Sequence, residues 1–197
     1  MHFILFSGPP GSGKDTAAQA VYEHFQARFS MRWEKFSFPH KRAFAGMMYA
    51  QCTPLGVVDP YEKTKDQIIP ELGVSYRQWQ IDYSEKFMKP LYGNDIFAKL
   101  LLARQQERLQ TPGYLCVISD CGFAIEVDAL AKVLQPNRAL LCPIFRPGTS
   151  YDGDSREPVR WNTTDQQYEP IHNDKDETAF KSKVIRVAEA WLKWANA

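Results

Sequence analysis

The chain predicts an α/β fold of three layers, with helices on both faces of a central, mainly parallel five-stranded sheet. Three observations carry this expectation. Apolar runs of strand length alternate with stretches of helical period. A glycine-rich loop joins the first run to the first helix. The 197 residues, 44% of them hydrophobic, suffice for one well-buried domain but not for two of ordinary size.

The strand candidates are Phe3 to Phe6, Trp33 to Phe38, Tyr114 to Ile118 and Ala139 to Phe145, with Tyr168 to His172 as a weaker fifth. Between them, Ala17, Val21 and Phe25 repeat every four residues, and Phe180, Val184, Val187, Trp191 and Leu192 form a similar stripe near the C-terminus. Further helices are expected near His40 to Ala50, Ser75 to Met88 and Asn94 to Leu109, in a segment broken by Pro54, Pro60, Pro70 and Pro90. The expected organisation is a single domain over 1–197, with a helical insert at about 39–110 that carries an acceptor site and a lid-like loop at 147–170. That loop is polar and contains Gly148, Gly153 and Pro158. Its Arg156 and Arg160 either swing over a phosphate chain to exclude water or belong to an ordinary solvated loop.

Net charge is only +1, which argues against a nucleic-acid polymer as partner and favours a small anion. Cys52, Cys116, Cys121 and Cys142 form no C-x-x-C pair, and no apolar run approaches the ~20 residues of a membrane span. With no signal-peptide pattern at the start, the expectation is a cytoplasmic protein with reduced thiols and no membrane partner. Self-association into a homodimer is left open.

The sharpest motif is Gly8-Pro9-Pro10-Gly11-Ser12-Gly13-Lys14-Asp15-Thr16. Placed between a strand and a helix, it has the makings of a P-loop, the phosphate-cradling turn of P-loop NTPases. Its glycines let backbone N–H groups turn inward around a polyphosphate, the helix start adds a positive dipole end, and Lys14 reaches the β- and γ-phosphates. Gly8, Gly11, Ser12, Gly13, Lys14, Asp15 and Thr16 are therefore candidates for binding ATP. The general pattern has Ser or Thr after the lysine, to bind Mg²⁺, but here Asp15 precedes Thr16. Asp15 either holds a metal-bound water or places its charge favourably at the helix start.

Phosphoryl transfer needs cations around both substrates and a carboxylate that organises Mg²⁺. Asp120, ending the run from Leu115, is the best such carboxylate, with a helix N-cap as the alternative reading. Asp15, Thr16 and Asp120 are thus the metal candidates, directly or through water. Lys41 and Arg42 after Phe36 to Pro39, and Arg77 after a capping Ser75, are candidates for the acceptor phosphate. Trp79, Tyr83, Phe87 and Tyr92 either stack on a base or fill a core.

The spacing Gly8-x-Pro10-Gly11-x-Gly13-Lys14-x-Thr16 resembles the nucleoside monophosphate kinase loop, and its G-K-D-T ending resembles the bacteriophage deoxynucleoside monophosphate kinases. Ser37-Phe38-Pro39-His40-Lys41, Ser75-Tyr76-Arg77, Tyr92 to Phe97, Val117 to Asp120 with Glu126, Arg146-Pro147-Gly148 and His172-Asn173-Asp174 are similar, in order, to further segments of that family. One departure stands out: Gly122 lies where relatives often carry an arginine two residues after the aspartate. The resemblance implies ATP as phosphoryl donor, Mg²⁺, a (deoxy)nucleoside monophosphate as acceptor and, for a phage protein, the host cytoplasm. It also implies catalytic roles for Lys14, Asp120, Arg77 and Arg156, donor binding by Arg146, and acceptor binding by Ser37, Lys41, Arg42 and Arg77. A kinase for another phosphorylated metabolite and a nucleotide-binding regulator without catalysis are the rival readings.

Overall fold

The computed structural model describes residues 1–51, 65–70, 72–108, 111–134, 138–154, 156–160 and 167–195, the side chains of 45–51 and 167–168 excepted. Cys52, Pro54, Pro60, Leu109 and parts of the expected lid-like loop, 155 and 161–166, lie outside the described residues. In chain order the main elements are β1 (His2–Ser7), α1 (Lys14–Phe25), β2 (Ser30–Glu34), α2 (Phe38–Gln51), β3 (Ile68–Ile69), β4 (Val74–Ser75) and α3 (Tyr76–Asp82). They continue with α4 (Lys89–Tyr92), α5 (Ile96–Gln105), β5 (Tyr114–Cys121), α6 (Ala124–Ala131), β6 (Ala139–Phe145), β7 (Gln167–Tyr168), β8 (Ile171–His172) and α7 (Glu177–Ala195). Two compact units result: Met1–Phe36 with Ala98–Ala197, and Ser37–Phe97.

The larger unit holds the sheet, in the order β2-β5-β1-β6, with β7 and β8 both against the outer edge of β6. Every pairing in it is parallel. Glu169 N–H donates to Leu141 O (3.0 Å) between β7 and β8, so these two pieces act as one fifth strand, broken where Pro170 has no N–H to give. The weak run at 168–172 is that strand.

Parallel sheets bury both faces, and the central strands follow this rule. Ile4, Phe6, Leu115, Val117, Leu140 and Cys142 face one core with Ala17, Val21 and Phe25 of α1 and Phe180, Val184 and Trp191 of α7. The alternating residues Phe3, Leu5, Cys116, Ile118 and Leu141 are as completely buried on the other face. The two stripes read from the sequence are thus core-facing, except that Val187 is only partly buried and Ala188 takes the inner position.

The second strand departs from its expected span. The strand is Ser30–Glu34, not Trp33 to Phe38, because the backbone turns away after Glu34 and Phe36 N–H donates to the Asp120 carboxylate (2.7 Å) instead of continuing the ladder. Phe38 already opens α2.

The smaller unit packs Phe44, Ile69 and Tyr76 into a core of its own, with Leu72 and Trp79 against it. Its β3–β4 hairpin, turning through Gly73 (φ +66°), had no counterpart among the expected strands. Two-residue strands are too short to show a period. Ser75 caps α3 as expected, its hydroxyl accepting from Gln78 N–H (3.1 Å). The helical run passes Met88 and reaches Tyr92 by way of a π-helical stretch at Tyr83–Met88, in which Lys89 N–H donates to Ser84 O. This wider turn precedes Pro90, which cannot make the next helical bond. Trp79 and Tyr83 stack on each other at 5.1 Å, and His40 meets Tyr83 and Phe97 edge-on. Burial, with the Lys89 charge, pushes His40 down to about 4, so it is neutral near pH 7.

Candidate functional site

Because the strands are parallel, β1, β5, β6 and β8 end on the same edge of the sheet, and the glycine-rich loop leaves β1 there. Two of its glycines are required by geometry. Gly8 has φ +147°, and a Cβ there would lie 2.7 Å from Ser12 Oγ and 2.8 Å from Ile144 O. Gly13, the N-cap of α1, has φ +105°, and its Cβ would lie 2.8 Å from Asn173 Nδ2 and 3.2 Å from Phe180. The loop is braced from outside as well: Asn173 Nδ2 donates to Ser12 O (2.9 Å) and Arg146 Nη1 donates to Gly11 O (2.9 Å). Asn173 is fixed in turn by its own N–H to Phe145 O (2.7 Å), so the fifth strand and β6 position the loop of β1.

Lys14 folds back over this loop, its ammonium donating to Gly8 O (2.8 Å) and Pro9 O (2.7 Å). Burial first, then the positive charge of Arg156, pulls it down to about 8, against the opposing pull of Asp15, Asp120 and Asp154. A lysine desolvated beside another cation gains strongly from an incoming anion.

Asp15 and Thr16 open α1. The Asp15 carboxylate pairs with Lys35 Nζ (2.8 Å) and accepts from Ser119, and these contacts hold it below the usual carboxylate range against partial desolvation. Ser119 also accepts from the Trp33 indole N–H (3.0 Å). Neither Lys35 nor Ser119 stood out in the sequence. For Lys35 the signal that could have found it is the cationic partner that an acidic residue in the first turn of a helix can attract; for Ser119 the sequence carries none.

Asp120 lies within β5, next to its last residue, and is not a helix N-cap; Phe123 holds that position before α6. Pairing of β1 with β5 slips between Leu5, opposite Ile118, and Ser7, opposite Cys121. The extra residue at Ser119–Asp120 forms a bulge, a device that re-aims side chains at strand ends. Here it places Ser119 toward Asp15 and Asp120 toward Phe36 N–H.

After β6, residues 146–154 run through two turns, with Thr149 closing on Arg146 O and Asp154 N–H on Tyr151 O. Arg156 forks onto Asp154, Nε to Oδ1 at 2.8 Å and Nη2 to Oδ2 at 2.5 Å. Arg160 is exposed and lines, with Gly8, Pro9, Arg146, Tyr151 and Val159, a cavity of about 600 Å³ beside the loop. The larger unit therefore brings together Gly8 to Thr16, Asp120, Arg146 and Arg156.

The remaining candidates belong to the smaller unit. Ser37 precedes α2 and its carbonyl accepts from Lys41 N–H, Lys41 and Arg42 lie in the second turn of that helix, and Arg42 is exposed. Arg77, at the start of α3, pairs with Asp66 (2.5 Å). Among the aromatic candidates, Trp79 packs on the small core, while Phe87 and Tyr92 are about half exposed.

No family model and no curated protein matches the chain. Among solved structures, it is similar to the crystal structure of an unliganded sugar kinase from Janibacter sp. HTCC2649. The TM-score is 0.52 at 12% identity, over 98% of this chain and 95% of that one. At that identity the likeness is one of fold. No helix among the described residues is long and apolar enough to cross a membrane.

Proposed function

We propose that the chain is a kinase that uses ATP and Mg²⁺ to phosphorylate the phosphate of a (deoxy)nucleoside monophosphate, giving ADP and the diphosphate. The observation that carries this reading is the braced loop at the end of β1, with the Lys14 ammonium folded onto its own carbonyls and the Arg156 charge close enough to depress it. The phosphates of a nucleotide would relieve the repulsion between these two cations.

In this reading the loop N–H groups and the start of α1 hold the donor phosphates, and Lys14 exchanges the Gly8 and Pro9 carbonyls for β- and γ-phosphate oxygens. Arg146 steadies the loop and takes part in donor binding. Lys14 and Arg156 neutralise the charge that spreads over the γ-phosphoryl group as it leaves ADP and bonds to the acceptor oxygen. Ser37, Lys41, Arg42 and Arg77 bind the acceptor phosphate, Arg77 giving up Asp66 to do so.

Among the described residues no group of three or more His, Cys, Asp or Glu could hold a metal ion alone. Mg²⁺ needs no such group, since phosphates and waters complete its shell around one or two protein oxygens. The hard-oxygen set of Thr16 and Asp120, with Asp15 acting through water, suits it. When bound, Mg²⁺ supplies charge neutralisation across the β- and γ-phosphates.

An ADP-release assay over all ribo- and deoxyribonucleoside monophosphates tests the assignment. Turnover with at least one of them is the expected result. Turnover only with a non-nucleotide phosphate, or ATP binding with no turnover for any acceptor, would contradict it.

A further inference from the structure

Gly122 differs from the loop glycines. Its φ lies outside the left-handed region, so no positive φ calls for glycine there. Space is what excludes a side chain: a Cβ at 122 would sit 2.5 Å from Arg156 Cδ and 3.2 Å from Arg156 Cγ, while the nearest other atom, Asp120 O, lies at an ordinary 3.7 Å. The aliphatic stem of Arg156 thus lies in the volume that a side chain at the end of β5 would fill. Gly122 is itself buried.

The far end of Arg156 is fixed as tightly. Asp154 receives its Nε and Nη2, and the same carboxylate accepts Arg156 backbone N–H (3.0 Å). The side chains of the pair are only 22% and 12% exposed. The charges of Asp154 and Asp120 favour the guanidinium, and the guanidinium in turn acts on Lys14. A long flexible cation is held at both stem and head, next to the loop lysine.

We propose that Gly122 and Asp154 are positioning residues for Arg156, the first a seat for its stem and the second a clamp for its head, which together set the guanidinium at the donor-phosphate site. This rests on the phosphoryl-transfer reading above for its consequence in turnover, but the placement of Arg156 is separable from it. Without the seat, the stem must leave the end of β5. Without the clamp, the head loses its bidentate orientation, and displacements of about 1 Å near a reacting group can cost ~10²-fold in rate.

A double-mutant cycle on the full chain tests this, with Gly122→Ala, Asp154→Asn and Arg156→Ala singly and in pairs. Melting temperature reports folding, affinity for Mg²⁺ with adenylyl-imidodiphosphate reports binding, and kcat for ADP release reports chemistry. Gly122→Ala and Asp154→Asn are each expected to weaken binding or kcat about tenfold or more, and to change either by less than about twofold once Arg156 is already alanine. The ¹⁵N signal of Arg156 Nε–H, protected in the wild type, is expected to shift in both variants without any ligand. Equal losses with and without Arg156, or an unmoved Nε–H signal in Gly122→Ala, would overturn the inference. Should Gly122→Ala fail to fold, recovery of its melting temperature in the pair with Arg156→Ala supports the seat and no recovery overturns it, while Asp154→Asn tests the clamp by the criteria above. A wild type that binds the analogue but phosphorylates no nucleotide removes the acceptor assignment and leaves the binding and NMR arms to judge the seat.

Discussion

Replacing Lys14 with Met is expected to lower ADP release by about 10³-fold, the scale on which loss of a preorganised charge at a transition state is felt. The fold should survive. In the ligand-free protein the folded chain holds the Lys14 proton less tightly than an unfolded one, at about 8 against 10.5. The charged ammonium is therefore a cost to the fold below pH 8, relieved as pH rises from about 8 to 10.5. The melting temperature of Lys14→Met at pH 7 should therefore be no lower than that of wild type. The same shift sets a pH signature for binding. A bound triphosphate raises the lysine pKa, so ATP affinity should be level up to about pH 8 and then fall, by at most about tenfold per pH unit, as the free protein loses that proton. Calorimetry in two buffers would show proton uptake on binding above pH 8 in the wild type and none from this source in Lys14→Met. Normal turnover by the variant would remove Lys14 from its role.

Gly13→Ala should be strongly damaging for a single-methyl change in the loop. A residue other than glycine at φ +105° costs about 1–3 kcal/mol in backbone strain. The added Cβ, 2.8 Å from Asn173 Nδ2 and 3.2 Å from Phe180, overfills a packed region at a further ~1–3 kcal/mol. A total near 3 kcal/mol corresponds to a melting temperature lower by roughly 6–12 °C for a chain of this size. Nucleotide affinity should fall with it, because Asn173 must move off Ser12 O and release the loop. Gly148→Ala is the control: φ is +77° but nothing lies within 4 Å, so only the backbone cost of about 1–2 kcal/mol applies. Differential scanning calorimetry separates the two. Equal melting temperatures for both variants would mean that the brace from Asn173 and Phe180 does not constrain Gly13.

The sheet was legible in the sequence because buried parallel strands are continuous apolar runs, and Ala139–Phe145 coincides with its expected span. The stripe Ala17, Val21, Phe25 was legible for the complementary reason, a helix buried on one face. Trp33 to Phe38 misled because Phe36 and Phe38 are apolar for reasons other than the ladder: Phe36 is buried where the backbone leaves β2, and Phe38 begins a helix. The place of the loop between β1 and α1 could be read since its signal is local, with each glycine and Lys14 within six residues of the others. The bonds that brace it could not. Asn173, Lys35, Ser119 and Asp154 reach the loop or its neighbours from distant strands and turns, and long-range side-chain bonds leave no period or spacing in a sequence. Gly122 shows the limit most clearly. Read alone it is a missing arginine, whereas in three dimensions it is the space in which Arg156 lies.

The most direct measurement is a crystal structure of the protein with Mg²⁺ and a nonhydrolysable ATP analogue. The expected result is a triphosphate within the ring of residues 8–16, with Lys14 Nζ moved from the Gly8 and Pro9 carbonyls to the β- and γ-phosphate oxygens. An analogue bound elsewhere, with Lys14 still donating to those two carbonyls, would contradict the account.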